Sequence, residues 1–139
     1  MTDPELSVTI PSDTGAIPGV TAALEEMMRA HAFAEDEILD LQLAVEEAVS
    51  NVILHGYVNG AGEITVRCRA SDDMAEVRIE DSAPPFDPLS LPEPDTAADI
   101  ENRTVGGLGI HLIRRVADGI AYRYEGGKNI LVLVKWKAF

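Results

Sequence analysis

Leu43-Ala44-Val45-Glu46-Glu47-Ala48-Val49-Ser50-Asn51-Val52-Ile53-Leu54-His55-Gly56-Tyr57 is the stretch whose reading decides the fold of this chain. The acids Glu35-Asp36-Glu37 precede it, where negative charge favours the N-terminal end of a helix dipole. Together they predict a helix from Glu35 to about His55, stopped by Gly56. Ile38, Leu41, Val45, Ala48 and Val52 recur at intervals of 3, 4, 3 and 4, which makes an apolar stripe for a core. Glu47, Asn51 and His55 recur at intervals of 4 and share another face. Asn51 offers a neutral carbonyl oxygen suited to Mg²⁺. Glu47 offers a base for the proton of a hydroxyl or a water. On this helix alone both read equally as solvated face residues. His55 reads equally as a C-terminal charge that the dipole favours.

Outward from this helix the pattern is mixed. Leu6 to Ile10 is rich in β-branched residues and predicts a first strand, broken by Pro11, Ser12, Asp13 and Gly15. Ile17 to Phe33 predicts a helix, with Val20, Leu24, Met27 and Met28 at helical spacing. Glu63 to Ala70 alternates, with Ile64, Val66 and Cys68 on one face and Thr65, Arg67 and Arg69 on the other. Ala75 to Glu80 alternates in the same way, and the two predict a hairpin turning at Ser71-Asp72-Asp73. After a long proline-rich stretch, Gly106-Gly107-Leu108-Gly109 opens a helix to about Asp118. Strands over Ile120 to Tyr124 and Asn129 to Lys135 follow, joined by Gly126-Gly127. The order β-α-α-β-β-loop-α-β-β predicts an α+β domain: one largely antiparallel sheet with helices on one face.

Composition narrows the function. The 139 residues suit one domain, 1–139, and 46% are apolar, enough for a core built from aliphatic side chains. Twenty-four acids stand against 11 Lys plus Arg, a formal net charge of -13. Such a surface repels a phosphate backbone and an anionic membrane, so neither nucleic acid nor membrane is the expected partner. A nucleotide remains possible, because Mg²⁺ and backbone N–H groups supply a local positive field. A single cysteine, Cys68, excludes an intrachain disulfide and reads as a small buried residue. Met1 to Thr14 has no charged-then-apolar signal pattern, and no apolar run reaches the roughly 20 residues of a membrane span. A cytoplasmic protein is the expectation.

Three further features carry chemistry. Asp81 ends a predicted strand, where an acid can accept a hydrogen bond from an exocyclic amine such as that of adenine or simply form a turn. From Asp81 to Val105 the chain has five prolines and little periodicity, and a loop this long inside a domain is usually functional. Within it Phe86 can cover an apolar ring or anchor the loop, and Arg103 can reach a terminal phosphate or stay solvated. The glycines at 106, 107 and 109 let backbone N–H groups approach phosphate oxygens at a helix start. There is no G-x-x-x-x-G-K-[ST] and no N-terminal strand followed by G-x-G-x-x-G, which excludes a P-loop and a Rossmann fold.

Taken in order, these segments resemble the GHKL-type ATP-binding domains, in particular the anti-sigma-factor serine/threonine kinases. Leu43 to Tyr57 resembles their N box, Ile79 to Pro88 their first glycine box, and Gly106 to Ile113 their second. The tail, with Asp118, Tyr122 and Gly126-Gly127-Lys128-Asn129, also resembles theirs. The likeness implies a two-layer α/β sandwich that binds ATP with Mg²⁺. It implies Glu47 as catalytic base, Asn51 as the Mg²⁺ ligand and Asp81 as the acceptor for the adenine amine. Gly106, Gly107 and Gly109 would lie at the phosphates under an ATP lid over about 87–105. His55, Ala83, Phe86, Arg103, Thr104 and Leu108 complete the implied nucleotide site. The implied partners are a STAS-domain anti-sigma antagonist as phosphoacceptor, a sigma factor, and a second copy in a homodimer. Ala83 departs from the family, which usually has glycine there; its methyl is expected to intrude where backbone and base approach.

A kinase that switches partners is the leading reading. The alternative is a non-catalytic module that binds ATP and sequesters a partner. The catalytic part of a sensor histidine kinase fits less well, since no phosphoacceptor-bearing helical pair and no membrane segment is expected in these residues.

Overall fold

A five-stranded sheet in the order β1-β2-β3-β5-β4, antiparallel throughout, carries two long helices on one face. The structure, a computed structural model, describes residues 5–57, 62–85 and 112–138. The elements are β1 (Glu5–Pro11), α1 (Ile17–Ala30), α2 (Glu35–Asn51), β2 (Glu63–Ala70), β3 (Met74–Asp81), β4 (Gly119–Glu125) and β5 (Lys128–Trp136). A 3₁₀ turn over Thr14–Ala16 leads into α1, a π-helical turn over Val52–Gly56 follows α2, and residues 112–116 are helical. This is the α+β sandwich that the element order predicts.

The core forms where the two periodicities meet. Val20, Leu24 and Met28 from α1 and Ile38, Leu41, Val45 and Ala48 from α2 face Ile64, Val66, Cys68, Val77, Ile79, Leu131 and Leu133 of the sheet. Each Val, Leu, Ile or Met side chain among them, fully buried, contributes about 1.5–3 kcal/mol relative to exposure. Cys68 is buried among them, and burial pushes its thiol up to about 11. The opposite sheet face is polar on β2 and β3, where Arg67, Arg69 and Arg78 pair with Glu76 and Glu80.

Two differences from the periodicity concern helix ends. The first helix stops at Ala30 rather than Phe33, because Ala32 takes a left-handed φ of 61° that turns the chain toward α2. The second keeps α geometry only to Asn51. There the ladder widens, with the Tyr57 N–H donating to the Val52 carbonyl at 3.0 Å across a five-residue interval. The β4–β5 hairpin closes on Gly126 and Gly127, whose φ values of 61° and 78° suit the two-residue turn that matches strand twist. Among the described residues no helix is long and apolar enough to cross a membrane.

Candidate nucleotide site

The end of α2, the π turn and the ends of β3 and β5 surround one pocket. Asn51, Asp81, Ala83 and Asn129 line it with the apolar side chains of Ala48, Val52, Ile79, Ile113, Tyr122 and Leu131. It encloses about 510 Å³, counting its open mouth. An apolar slot with a few convergent polar groups is the usual form of a small-molecule site. Asn51, brought against Asp81 and Ala83 from 30 and 32 positions away, makes with them three of the site residues the sequence nominates.

Asp81 is the deepest charge. It ends β3 at 6% exposure, and burial pushes its carboxyl above the usual carboxylate range. Two donors oppose that shift: the Asn129 Nδ2 at 2.9 Å and the Ala83 N–H at 3.0 Å, both on Oδ1. Asn129 also donates to the carbonyls of Ala83 at 3.0 Å and Pro84 at 3.2 Å, and the Tyr122 hydroxyl donates to its Oδ1. The Ala83 methyl is buried and turns toward Gly56, where any side chain would come within 3.2 Å of it. The absent side chain at Gly56 accommodates the methyl that sequence comparison marks as an intrusion.

The α2 side is more open. Glu47 lies one turn before Asn51, half-buried and outside the pocket lining. His55 sits in the π turn, exposed and also outside the lining, because the widened turn carries it off the line through Glu47 and Asn51. Tyr57 ties this region to the sheet: its hydroxyl donates to the Glu63 carbonyl at 2.8 Å and accepts the Ser82 N–H at 2.7 Å. Gly62 passes directly over its ring, where a Cβ would meet ring carbons at 2.3 Å. Ile113, in the helical segment 112–116, is fully buried and walls the pocket from the far side. Lys135 ties the end of that segment to α2, with Nζ donating to the Val116 carbonyl at 3.0 Å and to Asp40 Oδ2 at 2.9 Å.

Phe86, Arg103, Thr104, Gly106, Gly107, Leu108 and Gly109, and with them the expected lid over about 87–105, lie outside the described residues. Sequence reasoning gave no role to Asn129, Tyr122 or Tyr57. The signal for Asn129 was present: it shares the inward side of β5 with Leu131 and Leu133, and an inward polar residue needs partners.

The residues fit a Mg²⁺-nucleotide. Apolar walls can take the flat faces of a base, and the buried Asp81 carboxylate suits an amine at its edge. Among the described residues no group of three acidic, His or Cys side chains converges on a metal. Asn51 with phosphate oxygens and waters suffices for Mg²⁺, which keeps much of its hydration shell.

Comparison with known proteins agrees with this fold. Residues 10–135 match the family model described as a histidine kinase-like ATPase domain. A serine-protein kinase RsbW of Bacillus cereus (strain G9842) is 26% identical over 132 residues, covering 92% of this chain and 82% of its own. The serine-protein kinase RsbW of Listeria monocytogenes is 32% identical over 105 residues, 72% of this chain and 67% of that one. The fold is also like that of the crystal structure of the RsbU and RsbW domains of a Mycobacterium tuberculosis protein. The TM-score is 0.67 at 18% identity over 98% of this chain, which spans 33% of that longer one.

Proposed function

The chain belongs to the histidine kinase-like ATPase domain family, and on that premise we propose that it is an ATP-dependent protein serine/threonine kinase of the anti-sigma type. Its substrate is a serine or threonine on a STAS-domain antagonist. The observation that carries this reading is the convergence of Asn51 and Asp81 on one apolar pocket, with Glu47 one helical turn from Asn51. Bound Mg·ATP supplies the phosphoryl group and neutralises its charge. Asp81 accepts from the exocyclic amine of the base, and Asn51 turns its carbonyl oxygen to the cation. Glu47, open to the outside of the pocket, takes the proton of the partner's hydroxyl. Gly106, Gly107 and Gly109, with Arg103, Thr104 and Leu108, are assigned to the phosphates and Phe86 to the base, while His55, outside the pocket lining, is left without a role. The protein works in the cytoplasm as a homodimer and holds a sigma factor until the antagonist displaces it.

Calorimetric titration of ATP with Mg²⁺ against wild type and Asn51→Ala tests the nucleotide site. Magnesium-dependent binding that weakens at least tenfold in the variant (roughly the loss of one ligand to a charged group) supports it, and absence of binding at millimolar ATP sinks it. Labelled-ATP transfer to a STAS-domain protein then tests the reaction. The exposure of Glu47 outside the lining also suits a second reading, a nucleotide-gated module that sequesters its partner without turnover. Binding of the partner with no transfer by wild type would decide for that module.

A further inference from the structure

We infer that Asn129 is the positioning residue that sets the base selectivity of the pocket, acting through Asp81. This rests on the nucleotide reading above and adds a residue and a device to it. Asn129 lies on β5, 48 positions from Asp81, and is 7% exposed. Its amide has one productive orientation. The Tyr122 hydroxyl donates to Oδ1, so Nδ2 must face Asp81 and the Ala83 and Pro84 carbonyls. The opposite orientation would set an amide oxygen against a carboxylate oxygen and two carbonyls, four acceptors facing one another with no donor between them.

The consequence falls on Asp81. Its Oδ1 receives both the Asn129 amide and the Ala83 N–H, which fixes the plane of the carboxylate. Its Oδ2 has no partner among the described residues and belongs to a side chain that lines the pocket. A buried carboxylate oxygen can only accept, and leaving it unpaired is costly. The pocket therefore takes a purine with an amino group at position 6 and rejects one with a carbonyl there, where two acceptors would meet. By holding the Ala83 and Pro84 carbonyls as well, Asn129 keeps the wall beside Asp81 in place. One side chain thus sets both the chemistry and the width of the base slot.

The test is competition of ATP and ITP, which differ at that one position, for Mg²⁺-dependent binding to wild type, Asn129→Leu and Tyr122→Phe. Wild type is expected to prefer ATP by about 100-fold, in line with the cost of leaving a buried acceptor unsatisfied. Asn129→Leu should lose about 30-fold in ATP affinity and about threefold or less in ITP affinity, so the preference collapses. Tyr122→Phe keeps the ring in the core and frees the amide to turn, and it should reduce the preference about fivefold. A structural role alone would lower both affinities together and leave their ratio unchanged; an unchanged ratio in Asn129→Leu overturns the inference. Should Asn129→Leu fail to fold, the ratio in Tyr122→Phe decides in the same way. Wild type that binds neither nucleotide sinks the nucleotide reading itself, whereas wild type and both variants preferring ATP equally sink this inference alone.

Discussion

Asp81 and Glu47 are the two carboxylates of the proposed site, one in the pocket and one outside its lining, and the fold treats them in opposite ways. Asp81 is buried, bonded to two donors on one oxygen, and backed by Asn129 and Tyr122 from β5 and β4. Glu47 stands half-buried on α2 with no hydrogen-bond partner among the described residues. The Asp81 side of the pocket is thus held by hydrogen bonds within the protein itself. The α2 side presents a carboxylate whose environment a nucleotide and a partner would complete. A pocket that must discriminate profits from preorganisation; a base that must meet a second protein's hydroxyl has to stay reachable.

The contrast can be broken at each end. The largest effect is expected from Glu47→Gln: phosphoryl transfer falls by about 10²–10⁴-fold, the usual worth of a general base, while ATP affinity stays within about twofold. A parallel loss of ATP binding would show that Glu47 belongs to the binding side, and the distinction would fail. Asp81→Asn should do the reverse, costing about 100-fold in ATP affinity. The donors on Oδ1 would hold the new amide oxygen in that place and turn its NH₂ to the pocket, so ITP should become the better ligand.

Asp81→Asn also sharpens the comparison through stability. Burial raises the folded-state pKa of Asp81, so the folded chain holds that proton to higher pH than the unfolded chain does. Stability without nucleotide therefore declines as pH rises from the ordinary carboxylate range through the raised value, and stays lower above it. The Asn variant should lack this decline, and its thermal midpoint at neutral pH should equal or exceed that of wild type. A midpoint well below wild type would mean that the carboxylate stabilises the fold as well as binding ligand.

Smaller effects concern what joins the two regions. Gly62→Ala drives a methyl into the Tyr57 ring and should cost about 1–3 kcal/mol in urea unfolding, with weaker ATP binding because Tyr57 holds the Ser82 N–H beside Asp81. An unchanged midpoint would show that the ring gives way freely. Far from the site, Glu37 shows the other sign. The Ala138 and Ala34 N–H groups hold its carboxyl below the usual range, so its stabilisation is present above the ordinary carboxylate pKa and is lost as pH falls through the lowered one. Glu37→Gln should cost about 1–2 kcal/mol at neutral pH and less in acid, read as the urea midpoint against pH.

Alternation, β-branched composition and turn glycines located every described strand to within one or two residues, and helical spacing placed the stripe of α2 in the core, because one face of each element must leave water. Helix ends were less legible. The π turn over Val52–Gly56 leads into Tyr57, whose partners are Glu63 on β2 and Ser82 just past β3, far from it in the pattern of the helix.

For the site, spacing and composition were enough to put Asn51 and Glu47 on one helix face, Asp81 at a strand end, and a strong excess of acids in the chain. These are consequences of spacing and charge, which are local or additive. Only the tertiary structure decided that Asp81 is buried, that Asn129 and Tyr122 hold it, and that Gly56 makes room for Ala83. The Asn129–Asp81 hydrogen bond and the Gly56–Ala83 approach join residues 48 and 27 positions apart, and contacts at such separation exist only once the sheet has set its register.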